Sequence, residues 1–390
     1  MSLLIKPPEC QDPGLRPTYL PPLGLWSIRE NALDEVKVYD AHLKGYSDEL
    51  SSLIDEAEDV GISCQLQSQE FAIEKLIRMA KGSQITLGGP YALHVRAPFR
   101  VTRWAYPGEW WANGSLENFS QVKPPRFTME EILPYWEKKA PFDHAKTDRW
   151  MTIETSRGCA NHCGFCAMSD YWDSWQPRPV GLLNEYLSWL TDEIGVKELF
   201  VIDDNIALKP ERFSSIVSMF HEHGLLWSAP NGIYIRSLLD RGVLTTLEGS
   251  SCWRLSLPFE TANPHTAESM SLGRKWIDPT NAMFVVDRLA AMGIETAGFF
   301  IIGWPGETED DVKRTLAFAN HLPLTDRYIY FAMPYRGTKL FDLCIENEWI
   351  MEEASSYRRP VISTPWLSAD ALYRLWHEDH VEALRRKSNG

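Results

Sequence analysis

From residue 150 onwards, apolar strand segments alternate with helical segments, and this alternation limits the fold more than any other feature. The predicted strands are Met151–Glu154, Glu198–Ile202, Leu226–Ala229, Trp253–Leu257, Thr296–Ile302 and Tyr328–Phe331. The helices predicted between them are Gly181–Ile194, Pro210–Gly224, Ser237–Leu247, Pro279–Met292 and Glu309–His321. Because parallel strands that follow one another need a crossover, usually a helix, the pattern predicts a partial parallel (β/α)6 barrel.

The first ninety residues alternate in the same way. Strands are predicted at Ser2–Lys6, Val36–Tyr39, Val60–Cys64 and Ile85–Gly88, with helices at Leu23–Leu33, Asp48–Glu58 and Phe71–Ala80. This pattern predicts an α/β, Rossmann-like parallel sheet. A Trp- and Pro-rich stretch follows and predicts a linker with one helix near Met129–Lys138. The predicted regions are a sheet domain at 1–95, the linker at 96–147, the barrel at 148–345 and a mainly helical segment at 346–390.

The charge and hydropathy of the chain exclude two classes of partner. The formal net charge is −14, so the chain as a whole gains no counterion-release affinity for DNA or RNA. The N-terminal residues have too short an apolar run for a secretory signal, and no window approaches the ~18 apolar residues of a membrane span. We therefore expect a cytoplasmic protein with neither nucleic acid nor membrane as a partner.

Three of the seven cysteines lie within eight residues, directly after the first predicted barrel strand: Cys159, Cys163 and Cys166. At C-x3-C-x2-C spacing, three thiolates can hold one side of a 4Fe–4S cluster and leave the fourth iron without a protein ligand. An odd number of cysteines, four of them scattered, does not fit a disulfide framework. A structural zinc site is the alternative, but it usually takes four ligands, and His162 between two cysteines would be a strained fourth. The spacing favours the cluster.

The segment Arg157–Cys166 resembles the C-x3-C-x-aromatic-C hallmark of the radical S-adenosylmethionine (SAM) superfamily, with Phe165 in the aromatic position. Further segments resemble the family in order, each at the end of a predicted strand. They are Asp203-Asp204-Asn205 after the second strand, Glu260 after the fourth, Gly303-Trp304-Pro305-Gly306-Glu307 after the fifth and Pro334–Thr338 after the sixth. The resemblance covers about residues 148–345.

This resemblance implies that the open iron binds the methionine part of SAM. One electron then breaks a C–S bond and yields a 5′-deoxyadenosyl radical, which abstracts hydrogen from a small-molecule or natural-product substrate. The residues it implies for SAM binding are Phe165, Asp203, Asp204, Asn205, Glu260, Gly303 and Glu307. An electron donor such as flavodoxin or ferredoxin is implied as a partner. No catalytic residue follows from the sequence.

The N-terminal region resembles the corresponding domain of cobalamin-dependent radical SAM enzymes over about residues 1–92. The resemblance rests on Pro21–Leu25, the strand to Asp40 and Leu87–Pro90, and it implies that Gly88 and Gly89 let the backbone approach cobalamin. Asp40–Gly45 also spells the D-x-H-x-x-G signature by which other cobalamin proteins supply a histidine to cobalt. Here the signature follows the second strand, where those proteins carry it after the first, so we interpret His42 as a polar loop residue.

Three functions remain open from the sequence. Cobalamin-dependent methylation at carbon is slightly favoured, because the early motifs keep the family order. Since the linker follows Gly89 almost at once, the N-terminal domain looks trimmed, and a vestigial domain would indicate cobalamin-independent dehydration, deoxygenation, epimerisation or rearrangement. The third alternative is a non-enzymatic iron–sulfur or zinc-bearing binding protein, which predicts no affinity for SAM.

Overall fold

The computed structural model describes residues 1–8, 19–65, 67–95, 97, 101–104, 113, 118–138, 145–168, 171, 174–352 and 359–389. The contacts divide the chain into two compact units. The first comprises Met1–Arg157, Trp175–Phe200 and Glu222–Leu226, and the second comprises Gly158–Ser174, Val201–His221 and Trp227–Gly390. Within the described residues, no helix is both long enough and apolar enough to cross a membrane.

Five parallel strands form a sheet in the N-terminal region, in the order β2–β1–β3–β4–β5. They are β1 (Ser2–Lys6), β2 (Val36–Asp40), β3 (Asp59–Ser63), β4 (Gln84–Gly88) and β5 (Thr102–Trp104). The helices are α1 (Leu23–Asn31), α2 (Ala41–Lys44), α3 (Asp48–Glu56) and α4 (Glu70–Met79). The strand order reverses at β1, between β2 and β3, which is where doubly wound sheets place their ligands, at the carboxyl ends of the strands.

This sheet has one strand more than the sequence predicted. Strand β5 lies within the stretch predicted to be a linker and pairs in parallel with β4, with Gly88 opposite Trp104. Three residues are too few for an alternating pattern to stand out in the sequence. The helix predicted in the same stretch is present as α5 (Met129–Trp136), which begins at a capping box formed by Thr128 and Glu131. Residues 96, 98–100, 105–112, 114–117 and 139–144 of the predicted linker lie outside the described residues.

Six strands form the second sheet in the order β13–β12–β11–β10–β9–β6, so neighbours in the chain are neighbours in the sheet. They are β6 (Trp150–Ile153), β9 (Glu198–Val201), β10 (Leu226–Ala229), β11 (Cys252–Glu260), β12 (Glu295–Ile302) and β13 (Asp326–Phe331). A separate antiparallel pair is formed by β7 (Ser156–Arg157) and β8 (Gln176–Pro177). All six predicted barrel strands are thereby confirmed.

The helices of this region match the prediction, with two exceptions. They are α6 (Val180–Trp189), α7 (Pro210–Glu222), α8 (Arg241–Leu247), α9 (Pro264–Ser269), α10 (Pro279–Ala291) and α11 (Glu309–His321). One exception is α9, which was not predicted. The other is the single helix predicted at Ser237–Leu247, which the structure divides into a 3₁₀ helix (Ile235–Leu239) and α8. Asp240 separates the two because its carboxylate accepts hydrogen bonds from the N–H groups of Gly242 and Val243, which makes it an N-cap.

The C-terminal region is mainly helical, as predicted. It contains α12 (Lys339–Glu346) and α13 (Ala369–Asn389). Leu372 of α13 packs against the backbone of Gly303, where a Cβ atom would collide with the leucine side chain. This contact belongs to an apolar core in the second unit that also includes Met270, Trp304 and Leu340. The core holds the loop that carries the clustered cysteines.

Candidate functional site

The three clustered cysteines lie on the loop that follows β7. The loop begins at Gly158, whose φ of +81° is a backbone conformation that favours glycine. The N–H of Gly158 donates a hydrogen bond to the Asp204 carboxylate over 2.9 Å. An acidic side chain just beyond the end of β9 therefore fixes the start of the cysteine loop.

The middle of the loop is held by backbone hydrogen bonds to two other segments. The N–H of Gly164 donates to the carbonyl of Met270 at 2.8 Å, and the N–H of Leu340 donates to the carbonyl of Gly164 at 2.9 Å. A Cβ atom on residue 164 would lie 3.2 Å from the Trp304 ring, so a larger residue would push the ring away. These contacts fix the backbone between Cys163 and Cys166 before any metal is bound.

Two features around the Cys163 thiol act on its pKa in opposite directions: burial and a nearby ammonium group. Burial raises the pKa of Cys163 to about 11, while the Lys275 ammonium acts in the opposite direction. Burial also raises the pKa of Cys166. The Asn161 amide donates a hydrogen bond to the Cys159 sulfur at 3.3 Å. Since a metal binds the thiolate and adds positive charge, cluster binding would offset the cost of ionising these buried thiols.

A cubane cluster fits this donor set better than a single metal ion does. Among the described residues, no three His, Cys, Asp or Glu side chains converge closely enough to hold one ion. A cubane needs no such convergence, because each thiolate binds a different iron. Besides burial, the charges of the nearby Cys166 and Cys159 also raise the pKa of Cys163, so the three thiols lie close together.

Phe165 packs between an aromatic ring and a cation. Its ring meets that of Trp304 edge-on, with centroids 6.5 Å apart, and the Lys275 ammonium lies 5.4 Å from its centroid. The Trp304 indole N–H in turn donates to the Ser269 hydroxyl at 2.8 Å. The aromatic residue of the motif is therefore held in one orientation beside the cysteines.

Glu260 occupies a strained position at the end of β11. Its φ is +66°, and the strand register shifts between Pro258 and Glu260. A non-glycine residue in this region costs of order 1–3 kcal/mol and is found most often at functional sites. The carboxylate is bound by the Lys275 ammonium at 2.5 Å, with only 6% and 14% of the two side chains exposed. Burial opposes the charge on Lys275, but Glu260 and the nearby thiols outweigh it, so the pKa of Lys275 is raised.

The acidic stretch after β9 contains a buried amide, that of Asn205. Asp203 and Asn205 are buried, whereas Asp204 is partly exposed. Neither the oxygen nor the nitrogen of the Asn205 amide has a partner among the described residues. A buried polar group is normally satisfied, so an orphaned amide beside the cysteine loop fits a polar ligand such as SAM.

The turn after β12 is closed by the side chain of Glu307, a residue of the turn itself. One oxygen of Glu307 accepts hydrogen bonds from the N–H groups of Gly303 and Trp304, at 2.8 and 3.1 Å. Burial raises the pKa of Glu307 to about 7. The structure thus gives Glu307 and Gly303 roles in shaping the turn, and their contact with SAM stays a prediction.

In the first unit, Gly88 and Gly89 lie at the carboxyl end of β4 with different surroundings. Gly89 has a φ of +101°, and a Cβ atom on it would lie 2.7 Å from the carbonyl oxygen of Cys64. Among the residues that the structure describes, none comes within 4 Å of a Cβ atom placed on Gly88. The backbone at Gly88 is therefore open to close approach, which fits a bulky ligand at this edge of the sheet.

Helix capping explains the D-x-H-x-x-G sequence. The Asp40 carboxylate accepts hydrogen bonds from the N–H groups of His42 and Leu43, at 2.9 and 3.1 Å, and from the Tyr135 hydroxyl at 2.7 Å. Gly45, with a φ of +72°, ends the helix. His42 lies in this short helix and not in a loop as predicted, and its ring packs on Tyr19 at 4.9 Å.

Sequence reasoning missed Lys275, which binds Glu260 and faces Phe165. Lys275 lies in a short 3₁₀ helix, Gly273–Lys275, outside the segments that resemble the family. No spacing relates it to the motifs, so only the fold could reveal it.

Comparison with known proteins places this site in context. Residues 153–319 match the Radical SAM superfamily. An uncharacterized methyltransferase from Pyrococcus horikoshii is 29% identical over 287 residues, which are 71% of this chain and 58% of that protein. Cytidylyl-2-hydroxyethylphosphonate methyltransferase from Streptomyces wedmorensis is 25% identical over 248 residues, which are 61% of this chain and 44% of that protein. The chain thus spans about half the length of these curated relatives.

A solved structure with the same fold is that of TsrM from Kitasatospora setae, a radical S-adenosylmethionine methyltransferase with cobalamin and a [4Fe–4S] cluster bound. The similarity covers 96% of this chain and 81% of that chain, with a TM-score of 0.65 and 15% identity. At this identity the similarity concerns the fold alone. It confirms the predicted fold class, a parallel Rossmann-like sheet followed by a partial barrel and a helical segment.

Proposed function

We propose, from the radical SAM domain that residues 153–319 of this chain form, that the protein is a cobalamin-dependent radical SAM enzyme that methylates carbon in a small molecule or natural product. The observation that carries the proposal is the occurrence in one chain of a fixed three-cysteine loop and a five-stranded parallel sheet with an open edge at Gly88. The similarity to methyltransferases supports methyl transfer, and the fold shared with TsrM supports cobalamin.

Three thiolates would hold the cluster, those of Cys159, Cys163 and Cys166. When bound, the cluster, SAM and cobalamin supply the electron, the hydrogen-abstracting radical and the methyl group. The protein orients these groups and excludes water. Cys163 is only 5% exposed, so its burial would keep solvent from a cluster bound to it.

For binding SAM, the chain offers hydrogen-bond donors and acceptors, an aromatic ring and acidic side chains. The Asn205 amide has a free donor and a free acceptor among the described residues. Phe165 offers an aromatic face to an adenine. Asp203, Asp204 and Glu260 are the acids at the strand ends that could bind an ammonium or ribose hydroxyls, with Gly303 and Glu307 in the neighbouring turn. A small-molecule substrate and an electron donor such as flavodoxin or ferredoxin complete the proposed reaction.

Anaerobic reconstitution with iron, sulfide and hydroxocobalamin tests the proposal. We expect about four irons and one cobalamin per chain, together with reductive cleavage of SAM to 5′-deoxyadenosine. Cys163→Ala should lose the iron and the cleavage. Cys252→Ala is the matched control, because Cys252 is also buried but lies at the start of β11.

Two results would contradict the proposal in different ways. Four irons retained in Cys163→Ala would refute the cluster assignment. A wild-type protein that carries the cluster and cleaves SAM but binds no cobalamin would refute methylation through cobalamin. Cobalamin-independent radical chemistry on a small metabolite would then be the better function.

A further inference from the structure

Two arginines on neighbouring 3₁₀ helices have no role in the site described so far. Arg236 lies on the helix Ile235–Leu239 and Arg274 on the helix Gly273–Lys275, and these helices contact each other. Both side chains are exposed. Within the described part of the chain, neither guanidinium forms a hydrogen bond or an ion pair.

The loop before Arg236 is fixed to strands of the second sheet. The side-chain amide of Asn231 donates to the carbonyl of Ile202 at 2.8 Å, and the N–H of Ile233 donates to the carbonyl of Ser256 at 3.0 Å. Gly232 has a φ of +107° and packs on Pro258. The backbone that leads into Tyr234 and Arg236 is thereby held beside the carboxyl half of β11, the strand that ends at Glu260.

Arg274 is anchored to the same place by its neighbour in the chain. Lys275 binds Glu260 at 2.5 Å and lies 5.4 Å from the centre of the Phe165 ring. Because its ammonium is already bound to a carboxylate and nearly buried, Lys275 is not available to a substrate. The adjacent guanidinium of Arg274 is available.

Tyr234 comes directly before the helix of Arg236 and is near enough to both arginines and to two of the cysteines for their charges to act on it. Burial raises the pKa of Tyr234, the charges of Arg236 and Arg274 lower it, and Cys159 and Cys163 raise it further. The phenol hydroxyl is therefore within electrostatic reach of both guanidiniums and of two cluster cysteines. In a chain with 53 acidic and 39 basic residues, two arginines that pair with no carboxylate among the described residues form a local cationic site.

We propose that Arg236, Arg274 and Tyr234 form a subsite for a phosphoryl-type oxyanion of the substrate, a phosphate or a phosphonate. The inference rests on the proposed function, since it names the substrate class of that same site. Guanidinium groups bind phosphate oxygens through two parallel hydrogen bonds, and a tyrosine hydroxyl can donate a further one. A tetrahedral oxyanion has enough oxygens for all three side chains. The subsite holds the substrate's charged end beside the cluster and leaves its reacting carbon free.

Oxyanion binding to the reconstituted protein tests the subsite. Methylphosphonate and acetate are titrated separately at constant ionic strength, with binding followed by calorimetry and, for methylphosphonate, by broadening of its ³¹P resonance. We expect the double variant Arg236→Ala/Arg274→Ala to bind methylphosphonate at least roughly tenfold more weakly than the wild type, and Tyr234→Phe several-fold more weakly. Arg288→Ala, an exposed arginine on α10, should bind as the wild type does.

Three outcomes would overturn the subsite. Equal binding by the double variant and Arg288→Ala would mean that the arginines do not bind the anion. Acetate binding as tight as methylphosphonate binding would replace phosphoryl recognition with carboxylate recognition. Loss of SAM binding in the double variant, measured by equilibrium dialysis, would assign the arginines to SAM. Iron and cobalamin contents of the same samples report separately on the proposed function, so its failure is distinguishable.

Discussion

At the scale of single residues, the pair formed by Lys275 and Glu260 links the strained end of β11 to the cysteine loop. Both side chains are nearly buried, and the carboxylate sits on a backbone with positive φ. Removing either partner leaves the other as an uncompensated buried charge, which typically costs about 3–5 kcal/mol.

We therefore expect Lys275→Met to lower the free energy of unfolding by about 3–5 kcal/mol, measured by denaturant titration under anaerobic conditions. Adding Glu260→Gln to Lys275→Met should recover much of this loss, because no charge is then left unpaired. Lys313→Met is the control, since Lys313 is 54% exposed and pairs with Glu309 at the surface; its effect should stay within about 0.5 kcal/mol. Equal losses in the two lysine variants would contradict the role given to Lys275.

The site could be predicted from the sequence only where spacing carries the chemistry. The three cysteines and Phe165 lie on one short loop, so their relation is local and visible. The contact between Lys275 and Glu260 depends instead on where a 3₁₀ helix meets a strand end, and no sequence period relates the two. Tyr234 was missed for the same reason.

At the scale of elements, the turn between β12 and α11 is closed by the buried carboxylate of Glu307. This carboxylate accepts two backbone N–H groups and has a pKa raised to about 7. The folded state therefore binds the proton more tightly than the unfolded state, whose glutamate has its ordinary pKa near 4.5. The contribution of Glu307 to stability is greatest at low pH and is lost as the pH rises to about 7.

We expect Glu307→Gln to remove this pH dependence while keeping an oxygen acceptor for the turn. From pH 5 to pH 8, the stability of the wild type should fall relative to that of the variant by about 2–3 kcal/mol. Denaturant titrations at several pH values measure the difference. Glu309→Gln, at the first residue of α11 and with half of its side chain in water, should follow the wild-type slope. Parallel profiles for wild type and Glu307→Gln would contradict the assignment.

The elements could be predicted where their patterns are long. All six strands of the second sheet follow from apolar runs bounded by turns, whereas β5 has three residues and left no pattern. The 3₁₀ helix and α8 were predicted as one helix, because the cap at Asp240 lies within a continuous apolar period. Short strands and caps inside periodic segments are set by hydrogen bonds that the sequence pattern does not contain.

At the scale of the whole molecule, the N-terminal sheet has the strand order of a doubly wound sheet, the kind that binds ligands at its carboxyl edge. It has five strands, its order reverses at β1, and within the described part of the chain no atom lies within 4 Å of a Cβ atom placed on Gly88. Cobalamin bound there would approach the backbone where a side chain is missing. The sequence predicted the two glycines, but it predicted one strand fewer than the five that the sheet contains.

Filling this space should remove cobalamin and leave the cluster. We expect Gly88→Val to lower cobalamin content after reconstitution at least roughly tenfold, while iron content and SAM cleavage persist. A Cβ atom on residue 88 meets no atom of the described residues within 4 Å, so we expect the fold to tolerate the substitution. Gly82→Val is the control, because residue 82 is equally unobstructed but lies in the turn after α4. Full cobalamin content in Gly88→Val would place the ligand elsewhere.

The backbone hydrogen bonds of Gly164 affect when, during synthesis and folding, the cysteine loop takes its final shape. Its two backbone partners, Met270 and Leu340, are synthesised long after the cysteines have left the ribosome. Contacts between such distant parts of a chain form late in folding, because each requires the closure of a long loop. Until Leu340 is in place, the three thiols belong to an open segment that is exposed to oxidation and to stray metals. A cluster delivered before Leu340 is in place would therefore meet a loop that lacks both of these backbone contacts.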